Sequence, residues 1–98
     1  MIIRNVEEED IKSLYEINKS EVPQVSFIEE EDIRWFMKHA YRFELAEVNG
    51  QAAGLLLVLR NGVAYSSDNY QWFSERYDDF MYVDRIIISE QFKRRGIG

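Results

Sequence analysis

Two residues, Asn49-Gly50, limit what this 98-residue chain can fold into more than any others. The pair tolerates positive φ at both central positions of a type I′ turn, whose twist matches that of the strands it joins. It is flanked by "RFELAEV" and "QAAGLLLVLR", so the middle of the chain reads as a tight antiparallel hairpin. The second arm is apolar on both faces over residues 55–59, which predicts a central strand covered on both sides. Gly54 inside it permits a close backbone approach or a bulge, with plain packing the favoured reading.

The remaining elements fall around this hairpin. "MIIRNV" is a short apolar opening strand. Ile11, Leu14, Tyr15 and Asn18 share one helical face behind Glu7, Glu8, Glu9 and Asp10, carboxylates that suit a helix N-terminus. A first helix is therefore expected over residues 7–20. Pro23 ends it. Ser26 and Glu29 match a capping box, and Ile33, Phe36, Met37, Ala40 and Tyr41 follow at the spacing of an apolar helical stripe. "NGVAYSSDNYQWFSERYDD" is a polar, aromatic-rich connection with a short helix capped by Ser67 or Asp68.

"FMYVDRIIIS" is a strand of β-branched and aromatic residues. Strict alternation assigns Phe80, Tyr82, Asp84, Ile86 and Ile88 to one face, and Met81, Val83, Arg85 and Ile87 to the other. The resulting order, β-α-α-β-β-α-β, predicts an α+β fold with a mixed central sheet and flanking helices. A single proline and the lack of repeats leave one domain over residues 1–98.

Charge and composition exclude several function classes. Eighteen acidic against twelve basic residues give a net charge of −6, the opposite of a duplex-binding balance. That also disfavours nucleic-acid binding through Lys93, Arg94 and Arg95. The acidic runs over residues 7–10 and 29–32 read as solvated surface, with attraction of a cationic amine as a lesser reading. No apolar run approaches membrane-spanning length, and the N-terminus lacks the basic start of a secretory signal. Without cysteine there is no disulfide, thiolate nucleophile or zinc–thiolate site, which fits a cytoplasmic protein. His39 stands alone on the polar side of the second helix, so no metal site is expected.

Chemistry is concentrated at the end of the chain, in "SEQFKRRGIG". Gly96 and Gly98 lack a Cβ, so their amides can approach an anion and form a nest, while Lys93, Arg94 and Arg95 supply countercharge. A pyrophosphate is the natural ligand. The stretch lacks the Gly-x-x-x-x-Gly-Lys-Ser/Thr of a P-loop. A dinucleotide fingerprint would need a third glycine and an earlier strand.

An apolar strand, a few polar residues and then Gln/Arg-x-x-Gly-x-Gly/Ala resembles the acyl-CoA-binding motif of the GNAT-type N-acetyltransferase superfamily. Here it reads from Ile86-Ile87-Ile88 through Gln91-Phe92-Lys93-Arg94-Arg95 to Gly96-Ile97-Gly98. The element order and the opening "IRNVEEEDIKSLYEI" are similar to that family, and "NYQWFSERYDDFMYVDRIII" is similar to a bacterial subgroup of it. The resemblance implies transfer of acetyl from acetyl-CoA, as cosubstrate, to an amine. The backbone of Ile86 and Ile88 would pair with the pantetheine arm, and Lys93, Arg94, Arg95, Gly96, Ile97 and Gly98 would hold the pyrophosphate. Lys93 departs from the family's Gln or Arg but keeps a cationic donor. The family continues past this motif with further helices and strands, which often carry a tyrosine as general acid. The chain is therefore expected to be a fragment, or to self-associate over its exposed sheet edge.

Such a transfer needs a base for the amine proton but no covalent nucleophile. Asp84, a carboxylate on an apolar strand, is the best candidate, against a purely structural pairing with Arg85, Arg4 or a helix amide. Glu29 is a weaker one. Tyr70, Trp72, Phe73, Tyr77 and Tyr82 would wall an acceptor pocket or simply fill the core. The acceptor amine is not specified. The competing reading is a non-catalytic module that binds a protein partner, or itself, through the sheet edge.

Overall fold

The computed structural model describes residues 1–95, of which 91, 94 and 95 are described by backbone alone. Strand β1 (Ile2–Asn5) is followed by a 3-10 turn (Glu8–Asp10) and helix α1 (Ile11–Ser20). Then come helix α2 (Glu30–His39), strands β2 (Arg42–Val48) and β3 (Gln51–Arg60), helix α3 (Asp68–Arg76) and strand β4 (Met81–Ile88). A second 3-10 segment, Glu90–Arg95, ends the described chain. The sheet order is β1-β2-β3-β4, and each pairing is antiparallel. The fold is α+β in the expected order, but the sheet, expected to be mixed, is antiparallel throughout its four described strands. Each strand here pairs with its neighbour in sequence or across a helical excursion that reverses direction.

The hairpin forms as its turn dictates. Asn49 and Gly50 have φ of 52° and 78°, and Val48 pairs with Gln51. Odd-numbered residues of β2 and β3 (Phe43, Leu45, Leu55, Leu57 and Leu59) face the helices. They pack with Ile11 and Leu14 of α1, Ile33 and Phe36 of α2, Tyr70 of α3 and Ile87 of β4. Leu14, Leu45, Leu57 and Leu59 are each at most 1% exposed, so truncating any of them to alanine costs about 2–5 kcal/mol.

Three sequence expectations need correction. Residues 55–59 are covered by helices on one face only. On the opposite face Val58 is buried, while Met1, Ile3, Ala46, Leu56, Ile86 and Ile88 line an apolar groove of about 190 Å³. Helix α2 is capped by Glu29, not Ser26: Glu29 and Asp32 form a reciprocal capping box in which Asp32 Oδ2 accepts from the Glu29 amide at 2.8 Å. Any acceptor at N-cap with another three residues on can close such a box, and Ser26 is occupied elsewhere. Tyr41 has left the helix, its amide donating to the Val58 carbonyl at 2.9 Å on the approach to β2.

Helix α3 begins at its expected cap, with Ser67 Oγ accepting from the Tyr70 amide. The opening segment is fixed by charge. Arg4 donates to both oxygens of Asp10 at 2.8 and 2.9 Å and to Glu47 Oε1 at 2.9 Å, tying β1 to the helical layer and to β2. That bidentate contact holds the Asp10 carboxyl below its ordinary pKa.

Candidate functional site

Hydrogen-bond parity along the sheet decides what β4 offers at its outer edge. In an antiparallel ladder, alternate residues turn both backbone groups toward the same neighbour. Val6 donates to the Phe43 carbonyl, Tyr41 to the Val58 carbonyl and Ser89 to the Ala53 carbonyl at 2.7 Å. Odd residues of β3 therefore bond to β4, and Ile87, Arg85 and Ser89 bond back. Ile86 and Ile88 are left with their N–H and C=O groups directed away from β3. No described strand lies on that side of β4. Gly54 allows this spacing: a Cβ there would sit 2.5 Å from the Ile87 carbonyl oxygen, closer than side chains approach backbone. Close approach, rather than plain packing, is its role.

The alternation expected along β4 breaks at Asp84. Leu57 pairs with Arg85 and Val58 with Val83, so Asp84 is an extra residue with no partner on β3. Before this bulge Phe80 and Tyr82 pack against the helical side, and after it Arg85 and Ile87 do. Ile86, 62% exposed, lies on the opposite face with Ile88. The expected shared face of Phe80, Tyr82, Asp84, Ile86 and Ile88 thus does not exist, because one inserted residue inverts the parity.

Asp84 and Arg85 are consequently both turned into the layer between sheet and helices, their side chains only 5% and 3% exposed. Arg85 Nε donates to Asp84 Oδ2 at 2.6 Å, and a second nitrogen donates to Asn18 Oδ1 of α1 at 2.6 Å. The guanidinium also reaches the Ser26 carbonyl at 3.0 Å and Ser26 Oγ at 3.1 Å. Asn18 Nδ2 closes the circle on the Ser26 carbonyl at 3.1 Å. One buried arginine thereby joins α1, the loop before α2 and the bulge of β4. The other carboxylate oxygen, Asp84 Oδ1, accepts from the Tyr65 hydroxyl at 2.6 Å.

This cluster forms the floor of a polar cavity of about 550 Å³ between residues 24–28 and 65–69, with Asp32 and Tyr82 at its wall. Of the five aromatics expected to wall a pocket, Tyr82 lines the cavity and Tyr70 is core at 1% exposure. Trp72, Phe73 and Tyr77 instead form an exposed group along α3. Tyr65, not among the five, is the aromatic that reaches the carboxylate. His39 is exposed and lies against the Trp35 ring at 4.4 Å. Glu29 serves as the cap of α2.

At the end of β4 the chain turns into the 3-10 segment, which Phe92 anchors at 2% exposure. Lys93 Nζ lies 2.9 Å from Glu21 Oε1 and 3.1 Å from Glu90 Oε2, and these partners raise its pKa. Gly96, Ile97 and Gly98 lie outside the described residues, as do the side chains of Arg94 and Arg95.

No protein-family model matches the chain, and no curated protein matches it in sequence. Solved structures do match in shape. An aminoglycoside antibiotic 6′-N-acetyltransferase from Acinetobacter haemolyticus, in its apo form, superposes with a TM-score of 0.67 at 16% identity. The match covers 98% of this chain and 62% of that one. The NatB acetyltransferase complex bound to a bisubstrate inhibitor gives a TM-score of 0.64 at 17% identity, covering 98% of this chain and 49% of that one. The chain thus spans only part of the length of the proteins it is similar to. From β1 to β4, it has part of the GNAT-type acetyltransferase fold.

Proposed function

We propose that this chain carries the acetyl-CoA and amine sites of an N-acetyltransferase that transfers acetyl by direct attack of the amine on the thioester. The observation that carries the reading is the open edge of β4. Ile86 and Ile88 present outward amides and carbonyls in line, two and four residues beyond the bulge that sends Asp84 into the polar cavity. A pantetheine arm has amides at intervals suited to pair with such an edge, as an added strand would. Its pyrophosphate would then lie toward Lys93, Arg94, Arg95, Gly96, Ile97 and Gly98, where cations and glycine amides are concentrated in the sequence. The amine would enter through the cavity, with Asp84 as the eventual acceptor of its proton. The two solved structures named above are acetyltransferases, which supports the assignment of reaction class.

Ile86→Pro tests the reading at one atom. The Ile86 side chain is exposed and its amide faces the open edge, so proline removes a donor without breaking the β3–β4 ladder. Loss of one hydrogen bond, about 0.5–1.5 kcal/mol, should weaken acetyl-CoA binding in calorimetry by roughly 2- to 12-fold. Unchanged affinity in a folded variant would remove the edge from the binding site. A second reading, self-association through the same edge, is favoured by Met81, Val83 and Ile86 standing 56–62% exposed along it. It predicts a concentration-dependent sedimentation coefficient that acetyl-CoA leaves unchanged.

A further inference from the structure

The carboxylate proposed to collect the amine's proton lies at the floor of the cavity with both of its oxygens already engaged. The Asp84 side chain is 5% exposed, and each of its oxygens already accepts a hydrogen bond, one from Arg85 Nε and one from the Tyr65 hydroxyl, both at 2.6 Å. Tyr65 also lines the cavity, beside Ser66, Ser67 and Asn69. Its ring is fixed on three sides, stacked on Trp35 at 6.1 Å and edge-on to Phe36 and Tyr70 at 5.6 Å each. Its carbonyl accepts from Gln71 Nε2 at 2.6 Å and its amide donates to the Val63 carbonyl at 3.0 Å. The hydroxyl proton is committed to Asp84, so the phenol oxygen offers the cavity lone pairs only. An oxygen restricted to accepting selects a ligand group that donates, such as an ammonium.

We infer that Tyr65 is the residue that receives the acceptor amine, and that it passes the amine's proton to Asp84 while Arg85 holds that carboxylate in place. The inference rests on the transferase reading above. As the ammonium N–H gives its proton to Tyr65 Oη, the Tyr65 proton moves to Asp84 Oδ1, leaving a neutral amine, a neutral phenol and a carboxylic acid. The amine nitrogen then forms its bond to the thioester carbonyl carbon, and the carbon–sulfur bond breaks. The second nitrogen proton goes to the departing thiolate, and Asp84 returns its proton to solvent. Burial, and then the bond to Asp84, raise the Tyr65 pKa above its ordinary value, which disfavours a free phenolate and suits coupled transfers.

The test uses the chain with Tyr65→Phe, Asp84→Asn and the double variant. Phenylalanine keeps the ring packing and removes only the oxygen. Acetyl-CoA affinity is measured by calorimetry. Binding of spermidine, an aminoglycoside and a short peptide with a free N-terminus is followed by tyrosine-ring NMR with acetyl-CoA present, and turnover by release of CoA thiol. The expected result is unchanged acetyl-CoA affinity, amine binding at least about tenfold weaker in Tyr65→Phe, and a turnover loss of about 10²-fold that Asp84→Asn does not deepen. If the wild-type chain fails to bind acetyl-CoA, the transferase reading fails and this inference with it. If it binds acetyl-CoA but Tyr65→Phe matches wild type in amine binding and turnover, the relay alone is overturned. A wild-type protein whose Tyr65 signals respond to none of the three amines also overturns it.

Discussion

Replacing Arg85 by methionine keeps most of the buried stem and deletes the guanidinium. Four described hydrogen bonds disappear: one to Asp84, one to Asn18 and two to Ser26. Because the Arg85 and Asp84 side chains are only 3% and 5% exposed, Asp84 is left as a buried charge without its cation. Removing one partner of a buried pair costs about 3–5 kcal/mol, mostly through the partner left behind. A domain of this size holds about 5–15 kcal/mol in all, so the variant should unfold at a visibly lower urea concentration. Adding Asp84→Asn removes the stranded charge and should recover about 1–2 kcal/mol, a non-additivity that a double-mutant cycle in urea measures directly. An Arg85→Met variant within about 1 kcal/mol of wild type would refute the reasoning. So would a double variant no more stable than the single one.

Three further outcomes follow from the geometry. Gly54→Ala places a Cβ 2.5 Å from a backbone oxygen that has no freedom to yield, so β3 and β4 must separate at a cost of about 1–3 kcal/mol, read by thermal unfolding. Asp10→Asn should cost about 1–2 kcal/mol at pH 6. The folded-state pKa of Asp10 is depressed, so its contribution is present above the unfolded value near 4 and disappears as pH falls through the lower folded one; wild type and variant should converge in acid urea titrations. Glu21→Gln releases one of the two carboxylates on Lys93 and should tighten acetyl-CoA binding a few-fold at low salt, while Lys93→Gln should weaken it.

Much of this fold is encoded locally and is therefore legible in the sequence. Asn49-Gly50 sets the hairpin, Ser67 caps α3, and the spacing of Ile33 and Phe36 buries one face of α2. The bulge at Asp84 is not legible, because it is a property of how β3 and β4 pair and leaves no trace in the composition of either strand. Strict alternation consequently assigns half of β4 to the wrong face. The cap of α2 is hidden for a related reason: Ser-x-x-Glu and Glu-x-x-Asp overlap over residues 26–32, and in the fold Ser26 Oγ accepts from Arg85 while Glu29 caps the helix.

Signals for the buried network are nonetheless present. Asn18 sits among Ile11 and Leu14 on the apolar face of α1, and Arg85 stands between Val83 and Ile87 in a strand of apolar residues. A polar group on an apolar face needs a partner, and these two are each other's. Tyr65 carries no such signal, since its connection is rich in polar and aromatic residues alike.

Whether the outer edge of β4 is a binding edge for acetyl-CoA is tested most directly by amide-resolved NMR of the chain titrated with acetyl-CoA. Without ligand, the Ile87 amide should be protected from hydrogen exchange while those of Ile86 and Ile88 exchange freely. With ligand, Ile86 and Ile88 should shift and gain protection, and the exposed aromatics of α3 should not respond. Protection of Ile86 and Ile88 that rises with protein concentration alone, or ligand shifts confined to other surfaces, would contradict it.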